Sequence, residues 1–268
     1  MKKDYPSFKR TIKTFYKKHG RNDLPWRKAT DPYKILVSEI MLQQTQVDRV
    51  IPKYKEFLKA FPTLTSLAKA SNTDLLFVWK GLGYNRRAIN LKRTAEEIRR
   101  KHKGVFPKDY DTLLSLPGIG PATAGDVLAF SWNIPVPIIE TNIRTVYIHH
   151  FFPKTKRKIT DKEILSLVEK TLDSNNPREW YWALMDYGSH LKKTGNDKNK
   201  KSASYKKQSV FKGSNRELRS HILTYILQHP YTSKTDIQTH FPKQNVDTNL
   251  TKMIQEGLIK KTSKGYRV

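Results

Sequence analysis

The stretch that decides the fold is Leu113-Leu-Ser-Leu-Pro-Gly-Ile-Gly-Pro-Ala-Thr-Ala-Gly-Asp-Val-Leu128. An apolar helix end runs into residues 116–120, and a helix rich in Ala, Val and Leu follows, so the stretch predicts a helix, a hairpin and a helix. Gly118 and Gly120 have no Cβ, which allows a tight turn and a close approach to a ligand. The first N–H groups of the second helix can bind a phosphate. An ordinary helix–helix turn is the alternative, because short glycine motifs are weakly specific.

The chain is strongly basic. Its 268 residues include 51 Lys and Arg against 24 Asp and Glu, which gives a formal net charge of +27. Such a charge exceeds what solubility requires and indicates a polyanionic partner, for which nucleic acid is the default. An acidic membrane is the less favoured alternative, because the sequence shows no amphipathic anchor or long apolar span.

The chain contains no cysteine. This excludes disulfides, thiol nucleophiles and thiolate-bound metal clusters, and the eight histidines show no spacing typical of zinc ligands. The N-terminus has no apolar segment after its charges, so it does not resemble a signal peptide. We therefore expect a cytoplasmic, nucleoid-associated protein with no metal or cofactor.

Two glutamates lie where a carboxylate is unusual. Glu39 is in the middle of the helix over residues 34–42, whose apolar pattern predicts burial, so Glu39 must be paired or protonated. Glu140 directly precedes a helix that starts at Thr141, where the helix dipole and N–H groups favour a carboxylate. Each glutamate can also have a purely structural role: Glu39 can pair with an arginine, and Glu140 can be a helix cap only.

Polar and aromatic residues at two predicted turns are candidate DNA contacts. Gln43 and Gln44 lie where the apolar helix ends, and their amides can either fill a gap in a base stack or satisfy loop backbone. Tyr84 follows the glycine-flanked turn at residues 81–83, where it can act as a wedge or cap the core.

The composition and the secondary-structure pattern of the sequence change after residue 190. Residues 191–214 carry eight lysines and one aspartate, which predicts a flexible basic linker lying along DNA. Residues 215–268 show three helical patterns followed by two short strands. This order predicts a winged-helix-like module.

Six motifs in order give residues 20–190 a strong resemblance to the helix-hairpin-helix DNA glycosylases, and within them to the MutY-type adenine-DNA glycosylases. The matching text is Leu24-Pro-Trp-Arg27, Asp31-Pro-Tyr-Lys34, Ser38-Glu-Ile-Met-Leu-Gln-Gln-Thr-Gln46, Gly81-Leu-Gly-Tyr84, Leu116-Pro-Gly-Ile-Gly-Pro-Ala-Thr-Ala-Gly125 and Ala183-Leu-Met-Asp-Tyr-Gly188. The number of ordered matches makes this resemblance highly specific.

The resemblance implies an all-α fold of two helical lobes with a substrate cleft between them. One lobe would comprise residues 1–30 and 133–190, and the other residues 31–132. It also implies base flipping on double-stranded DNA, in which side chains fill the gap left by the flipped base. The residues that the resemblance assigns to DNA binding are Gln43, Gln44, Tyr84, Gly118, Gly120 and Thr123.

The resemblance also implies a chemistry. Breaking an N-glycosidic bond builds positive charge on the sugar and negative charge on the base, so an acid and a nearby anion are needed. Glu39 matches the family's acid, and burial would keep it protonated at neutral pH. Glu140 stands where the family has an aspartate, and its extra methylene moves the carboxylate by about 1.5 Å unless the backbone compensates. Asn142 matches the asparagine that follows in the family.

Several positions depart from the family pattern. Ala122 stands where bifunctional relatives have a Schiff-base lysine, so base removal without an amine-driven strand cut is expected. Trp182 stands where the adenine glycosylases have a Gln or Glu, and an indole cannot copy an amide's donor and acceptor pair. Residues 192–207 replace the four cysteines of the iron–sulfur cluster, and the winged-helix-like block replaces the domain that reads 8-oxoguanine.

We therefore expect a monofunctional DNA N-glycosylase of base excision repair, a monomer by default. Mispaired adenine is the family's default substrate. The alternatives are another base, such as thymine or uracil opposite guanine or a methylated base, and a non-catalytic DNA-binding protein. The expected substrate pocket consists of Trp26, Arg27, Ala122, Asn142 and Trp182.

Overall fold

The computed structural model describes residues 4–208, 210–242 and 245–268, and within these ranges it is almost entirely helical. This confirms the expected all-α class. The helices are α1 (Tyr5–His19), α2 (Pro32–Leu42), α3 (Val47–Ala60), α4 (Leu64–Lys69), α5 (Asn72–Trp79), α6 (Arg86–Lys101), α7 (Tyr110–Ser115), α8 (Pro121–Trp132), α9 (Thr141–Phe151), α10 (Asp161–Thr171), α11 (Pro177–Lys193), α12 (Asn215–Gln228), α13 (Lys234–His240) and α14 (Val246–Gln255). Short 3-10 helices span Pro25–Lys28 and Asn199–Lys201, and strands β1 (Lys260–Thr262) and β2 (Gly265–Arg267) form an antiparallel hairpin. In the described part of the chain, no helix combines the length and apolar character needed to cross a membrane.

The chain divides into two compact units. The first comprises Met1–Glu39, Lys108–Ser115 and Ile119–Lys207, and the second comprises Ile40–Pro107, Leu116–Gly118 and Gln208–Val268. This division differs from the predicted lobes, because one boundary falls inside α2 and because the C-terminal module groups with the second unit.

The first unit is built around α11, which packs against α9, α1 and α8. Its N-cap Asn176 accepts a hydrogen bond from the Glu179 N–H, and Pro177 occupies the first turn, where no N–H partner is needed. Trp180 and Tyr181 are almost completely buried and fill the centre of this unit. Aromatic side chains of α11 therefore form part of the core.

The second unit packs α4 against α6 and α3 against α5. Phe57, Leu67, Trp79 and Ile98 are fully buried there. Thr63 and Ser66 form a reciprocal capping box at the start of α4, which satisfies two N–H groups at that helix end.

The turn at residues 116–118 is anchored on α6. The Thr94 hydroxyl donates to the Pro117 carbonyl at 2.6 Å. Gly118 has a φ of +77°, and a Cβ added there would lie 2.7 Å from the Asn90 Cβ. Both the left-handed backbone and the lack of space require glycine at this position. Gly120 has a φ of −96° and is the N-cap of α8.

The C-terminal module contains the three helices and hairpin predicted from the sequence, α12 to α14 followed by β1 and β2. The predicted flexible linker over residues 191–214 differs from the structure in its first part. Helix α11 extends to Lys193, and the Ala203 N–H donates to the Ile159 carbonyl at 2.8 Å. Leu191 and Ser202 are buried. Backbone pairing and two buried side chains, hidden by the lysine-rich composition, hold this segment on the first unit.

Candidate active site

Glu39 and Glu140 interact electrostatically within the first unit. Glu39 is half-buried on α2, between turns whose other side chains are almost all buried. Burial, followed by the negative charge of Glu140, raises the pKa of Glu39 to about 8, although Arg27 acts in the opposite direction. At neutral pH Glu39 therefore carries a proton, which is the state that a general acid requires.

Glu140 is fixed by the first turn of α9. One carboxylate oxygen accepts a hydrogen bond from the Ile143 N–H at 2.8 Å. The other accepts from the Asn142 side-chain amide at 3.2 Å. Glu140 is thus a helix cap, as the alternative interpretation of the sequence predicted, and its charge also acts on Glu39.

Lys192 continues this arrangement from α11. Its Nζ donates to the Asn142 Oδ1 at 2.8 Å, so Lys192, Asn142 and Glu140 form a chain of hydrogen bonds. Burial lowers the pKa of the Lys192 ammonium, although Glu140 and Asp197 act in the opposite direction. The sequence indicated Lys192 only as the first residue of the segment that replaces the cluster cysteines, and its contact with Asn142 was missed.

A close approach of α11 and α9 makes the contact of Lys192 with Asn142 feasible. A Cβ added at Gly188 would lie 2.6 Å from the Asn142 Cβ. A larger residue at position 188 would therefore push away the helix start that carries Asn142 and Glu140.

Asp126 is a third carboxyl group that the sequence analysis did not assign. It lies on α8 and is 4% exposed, and its Oδ1 has no hydrogen-bond partner among the residues that the structure describes. Burial, with the charges of Glu39 and Glu140, raises its pKa well above the usual range. An aspartate in the otherwise apolar run of α8 was the available signal, since such a residue must be paired or neutral.

Asp186 is bound by two arginines in the same unit. The Arg27 guanidinium donates to both oxygens at 2.7 and 2.8 Å, and the Arg21 Nε donates at 2.7 Å. Burial alone would raise the pKa of Asp186, but the hydrogen bonds and charges of Arg27 and Arg21 outweigh it and lower the pKa. Arg27 is therefore held rigidly by a fully desolvated, bidentate ion pair.

The predicted pocket residues occupy different environments. Trp182 is half-buried, with the Arg27 Cζ 5.4 Å from its ring centroid and the Phe130 ring at 5.8 Å. The structure thus brings Arg27 and Trp182 together, and it brings Asn142 to Glu140. Trp26 is buried in the core, and Ala122 is half-buried on the first turn of α8.

The predicted DNA contacts at the two turns belong to the second unit. Gln43 and Tyr84 are half-buried there and Gln44 is exposed, and Gln44 and Tyr84 have left-handed backbones with φ of 55° and 47°. Such strain is tolerated where surrounding contacts impose it, often at functional sites. Thr123, which was grouped with these contacts, is buried on α8 in the first unit.

Arg87 holds both of these turns and was missed by the sequence analysis. Its guanidinium donates to the Gln43 carbonyl at 2.6 Å and to the Gly83 carbonyl at 3.1 Å. Burial lowers its pKa to about 10, so it remains charged at neutral pH. Its further acceptors are the carbonyls of Ile40, Met41 and Leu82 and the hydroxyl of Thr45.

Residues 37–171 match the model of a protein family described as "HhH-GPD superfamily base excision DNA repair protein". The chain belongs to the HhH-GPD superfamily. It is 36% identical to an adenine DNA glycosylase of Buchnera aphidicola subsp. Acyrthosiphon pisum over 69% of this chain and 53% of that protein. It is 34% identical to a thymine/uracil-DNA glycosylase of Pyrobaculum aerophilum over 69% of this chain and 82% of that protein. The solved structure of a thermostable thymine-DNA glycosylase is similar, with a TM-score of 0.62 and 26% identity over 69% of this chain and 86% of that chain.

This HhH-GPD chain spans about half the length of the adenine glycosylases that it matches. The family match at residues 37–171 contains Glu39, Asp126 and Glu140. Two basic residues lie outside the match: Arg27, whose charge acts on Glu39, and Lys192, which donates to Asn142. The superfamily region therefore supplies the carboxyl cluster, while residues on either side of it supply positive charges.

The iron–sulfur cluster implied by part of the resembled family does not fit the residues present. Lysines, and no cysteine, occupy the segment 192–207. A protonated amine has no lone pair for iron, and the Lys192 Nζ is already hydrogen-bonded to Asn142. No step of the chemistry is assigned to such a cluster.

Proposed function

We propose that this HhH-GPD protein is a monofunctional DNA N-glycosylase of base excision repair. Its substrate is a mispaired or modified base in double-stranded DNA. The observation that supports this most directly is the unequal pair of glutamates: Glu39 is protonated at neutral pH, and Glu140 is held by two N–H donors. Two carboxyl groups in different states are what glycosidic hydrolysis needs.

In the proposed mechanism Glu39 donates its proton to the base. The bond between the sugar C1′ and the base nitrogen breaks, and its electron pair leaves with the base. The Glu140 carboxylate stabilises the positive charge on the sugar ring. A water molecule then forms a bond to C1′, and the Glu39 carboxylate takes up the proton that this water releases.

The monofunctional assignment depends on the absence of a free amine at position 122. Ala122 has no nucleophile, and the amine of Lys192 is engaged with Asn142. We expect no covalent complex when the protein and a cleaved duplex are treated with borohydride, which reduces a Schiff base to a stable amine. A trapped complex that disappears in Lys192→Met would instead assign a lyase activity to Lys192.

Mispaired adenine is the default target base, because the adenine DNA glycosylases of three Buchnera aphidicola subspecies share 36–38% identity with this chain. Trp182 favours a second candidate, thymine or uracil opposite guanine. Its indole is held by Arg27 and Phe130, and it offers a flat apolar face and one N–H donor to a base. The similarity to a thymine/uracil-DNA glycosylase supports the same candidate.

The test is single-turnover base release from duplexes with adenine, thymine, uracil or a methylated base, each opposite guanine, plus adenine opposite 8-oxoguanine. Hot alkali reveals the abasic sites. We expect release from one class of duplex and a loss of roughly a thousandfold in Glu39→Gln. The matched control is Glu169→Gln, an exposed glutamate on α10, which should retain the wild-type rate. Salt-dependent DNA binding with no release from any duplex would replace the proposal by a non-catalytic DNA-binding protein.

A further inference from the structure

The chain reverses its direction directly after α11. This helix ends at Lys193, and Gly195 has a left-handed backbone with a φ of +76°. The Asn196 N–H donates to the Leu191 carbonyl at 2.7 Å, and the Gly195 N–H donates to the Lys192 carbonyl at 3.3 Å. This pair of bonds is a Schellman motif, which satisfies the last carbonyls of a helix and usually requires glycine. The reversal therefore starts within three residues of Lys192.

Asp197 contacts α9 after this reversal. Its Oδ1 accepts a hydrogen bond from the Thr145 hydroxyl at 3.2 Å and another from the Asn199 N–H at 2.8 Å. Thr145 is fully buried on α9, one turn after the first residue of that helix. Asp197 is thereby attached to the helix whose first turn holds Glu140.

The other end of the segment is also held on the first unit. The Lys201 ammonium donates to two carbonyls of the loop between α9 and α10, at 2.9 and 3.2 Å. The Lys201 carbonyl accepts from the Ile159 N–H at 2.9 Å, and the neighbouring Ser202 is buried. Because both ends of residues 197–202 are fixed, Asp197 has a defined position.

Lys192 interacts with Asp197 and Glu140 at the same time. Burial lowers the pKa of the Lys192 ammonium, and the charges of Glu140 and Asp197 oppose this change. The ammonium donates to the Asn142 Oδ1 at 2.8 Å, and the Asn142 amide donates to Glu140 at 3.2 Å. A charged amine is a stronger donor than a neutral one. The charge of Asp197 therefore favours the form of Lys192 that holds Asn142 most firmly.

We propose that residues 194–203 are a positioning element of the active site, in which Asp197 acts through Lys192 and Asn142 on the Glu140 carboxylate. Asp197 is a positioning residue, since it has no contact with the carboxylate itself. The segment whose lysines cannot hold an iron–sulfur cluster thus supports the group that stabilises the charged sugar. The inference rests on the proposed function for the reaction that Glu140 serves.

The experiment is a double-mutant cycle of Asp197→Ala and Lys192→Met, measured by single-turnover base release from the duplex that the wild-type protein cleaves. Asp197→Asn is a milder second variant, because its amide oxygen can still accept both hydrogen bonds while the charge is lost. The matched control Asp23→Ala removes the same charge from an exposed position of the first unit. It accounts for any change in the general attraction to DNA. The melting temperature and the affinity for a duplex with a stable abasic analogue are measured for each variant.

We expect Asp197→Ala to reduce the rate about fivefold, and Asp197→Asn to reduce it by less. The double variant should be no slower than Lys192→Met alone, at about a tenfold loss, because Asp197 acts through Lys192. Asp23→Ala should keep the wild-type rate, with the same abasic-duplex affinity and melting temperature as Asp197→Ala. Losses that multiply to about fiftyfold in the double variant, or a loss of rate with an equal loss of affinity, would overturn the inference.

A second measurement does not require a reaction. In the nuclear magnetic resonance spectrum of isotope-labelled protein, the side-chain amide signal of Asn142 reports its bonds to Glu140 and Lys192. This signal should shift in Asp197→Ala and stay in place in Asp23→Ala. An unchanged signal in Asp197→Ala would contradict the inference even if the rate falls. If the wild-type protein releases no base from any duplex, the proposed function fails, and the amide signal still decides whether Asp197 positions Asn142.

Discussion

Two aspartates in the first unit are equally buried and yet have opposite surroundings. Asp126 and Asp186 are each 4% exposed. Asp186 accepts hydrogen bonds from Arg21 and Arg27, and its pKa is lowered. In the described part of the chain one oxygen of Asp126 has no hydrogen-bond partner, and burial, Glu39 and Glu140 raise the pKa of Asp126.

The difference separates two uses of a buried acid. A desolvated carboxylate that is matched by bidentate arginine remains ionised and fixes neighbouring elements. A carboxyl group in a cluster of acids, with no cation bound to it, has a raised pKa, because a second or third negative charge there is costly. The first arrangement holds neighbouring elements together, and the second creates carboxyl groups whose pKa is raised.

The largest effect is expected from removing the charge of Asp186. In Asp186→Asn the Arg27 guanidinium stays buried without its counter-charge, so the unfolding free energy should fall by about 3–5 kcal/mol. Urea denaturation checks this. The control Asp173→Asn breaks the more exposed ion pair with Lys13 and should cost less than about 1 kcal/mol. If the two variants lose equal stability, burial does not determine how much the Asp186 ion pair contributes to the free energy of unfolding.

The next effect concerns the pH dependence of base release. Glu39 must be protonated to act, so the single-turnover rate should fall about tenfold per pH unit above its pKa of about 8. The free energy of unfolding depends on pH in the same direction. Because the pKa of Glu39 is raised in the folded state, stability falls as pH rises from the pKa of the unfolded chain towards about 8. Chromatographic detection of the free base gives the profile, and a rate that is flat between pH 7 and 10 would contradict this role of Glu39.

A smaller effect is expected from Lys192. In Lys192→Met the Asn142 Oδ1 loses the hydrogen bond that the Lys192 ammonium donates to it. The Asn142 amide, which donates to Glu140, is then held less firmly. The rate should fall by about tenfold, a typical cost of a slightly misplaced catalytic group. The melting temperature should change little. Lys193→Met, at the exposed neighbouring position, is the matched control, and an equal loss of rate in both variants would point to general DNA attraction instead.

The smallest effect is expected from Asp126. Burial and the charges of Glu39 and Glu140 raise the pKa of Asp126 and so favour its neutral form, which an amide resembles. Asp126→Asn should therefore alter the rate by no more than about threefold. Its effect on stability should depend on pH. Wild-type protein loses stability as pH rises from the unfolded pKa towards the raised pKa of Asp126, whereas an amide does not titrate, so the stability of the variant relative to wild type should increase with pH. A large loss of rate at pH 7 would show that Asp126 itself donates a proton.

Local features of the sequence were sufficient for much of the fold and part of the candidate site. The apolar run around Glu39, the start signals after Glu140 and the glycines at residues 118 and 120 each concern a few neighbouring residues. Helix type, caps and turns depend on such short-range chemistry. The family assignment came from the order of the motifs.

The contacts that organise the candidate site join residues far apart in the chain. Arg27 and Asp186 are separated by 159 positions, and Asn142 and Lys192 by 50. No periodicity links such residues, so their pairing could not be read from the pattern. The buried part of residues 191–214 was missed for a related reason, since composition reports many lysines but not the backbone hydrogen bonds that join Ile159 to Lys201 and Ala203.

The position of Arg87 also limits how this protein can change over evolutionary time. One guanidinium binds the carbonyl groups of the turn before Gln44 and of the turn before Tyr84. An insertion or deletion in either turn would withdraw acceptors from Arg87 and so disturb the other turn as well. The lengths of the two turns are therefore constrained together, and we expect them to vary together or not at all among related proteins.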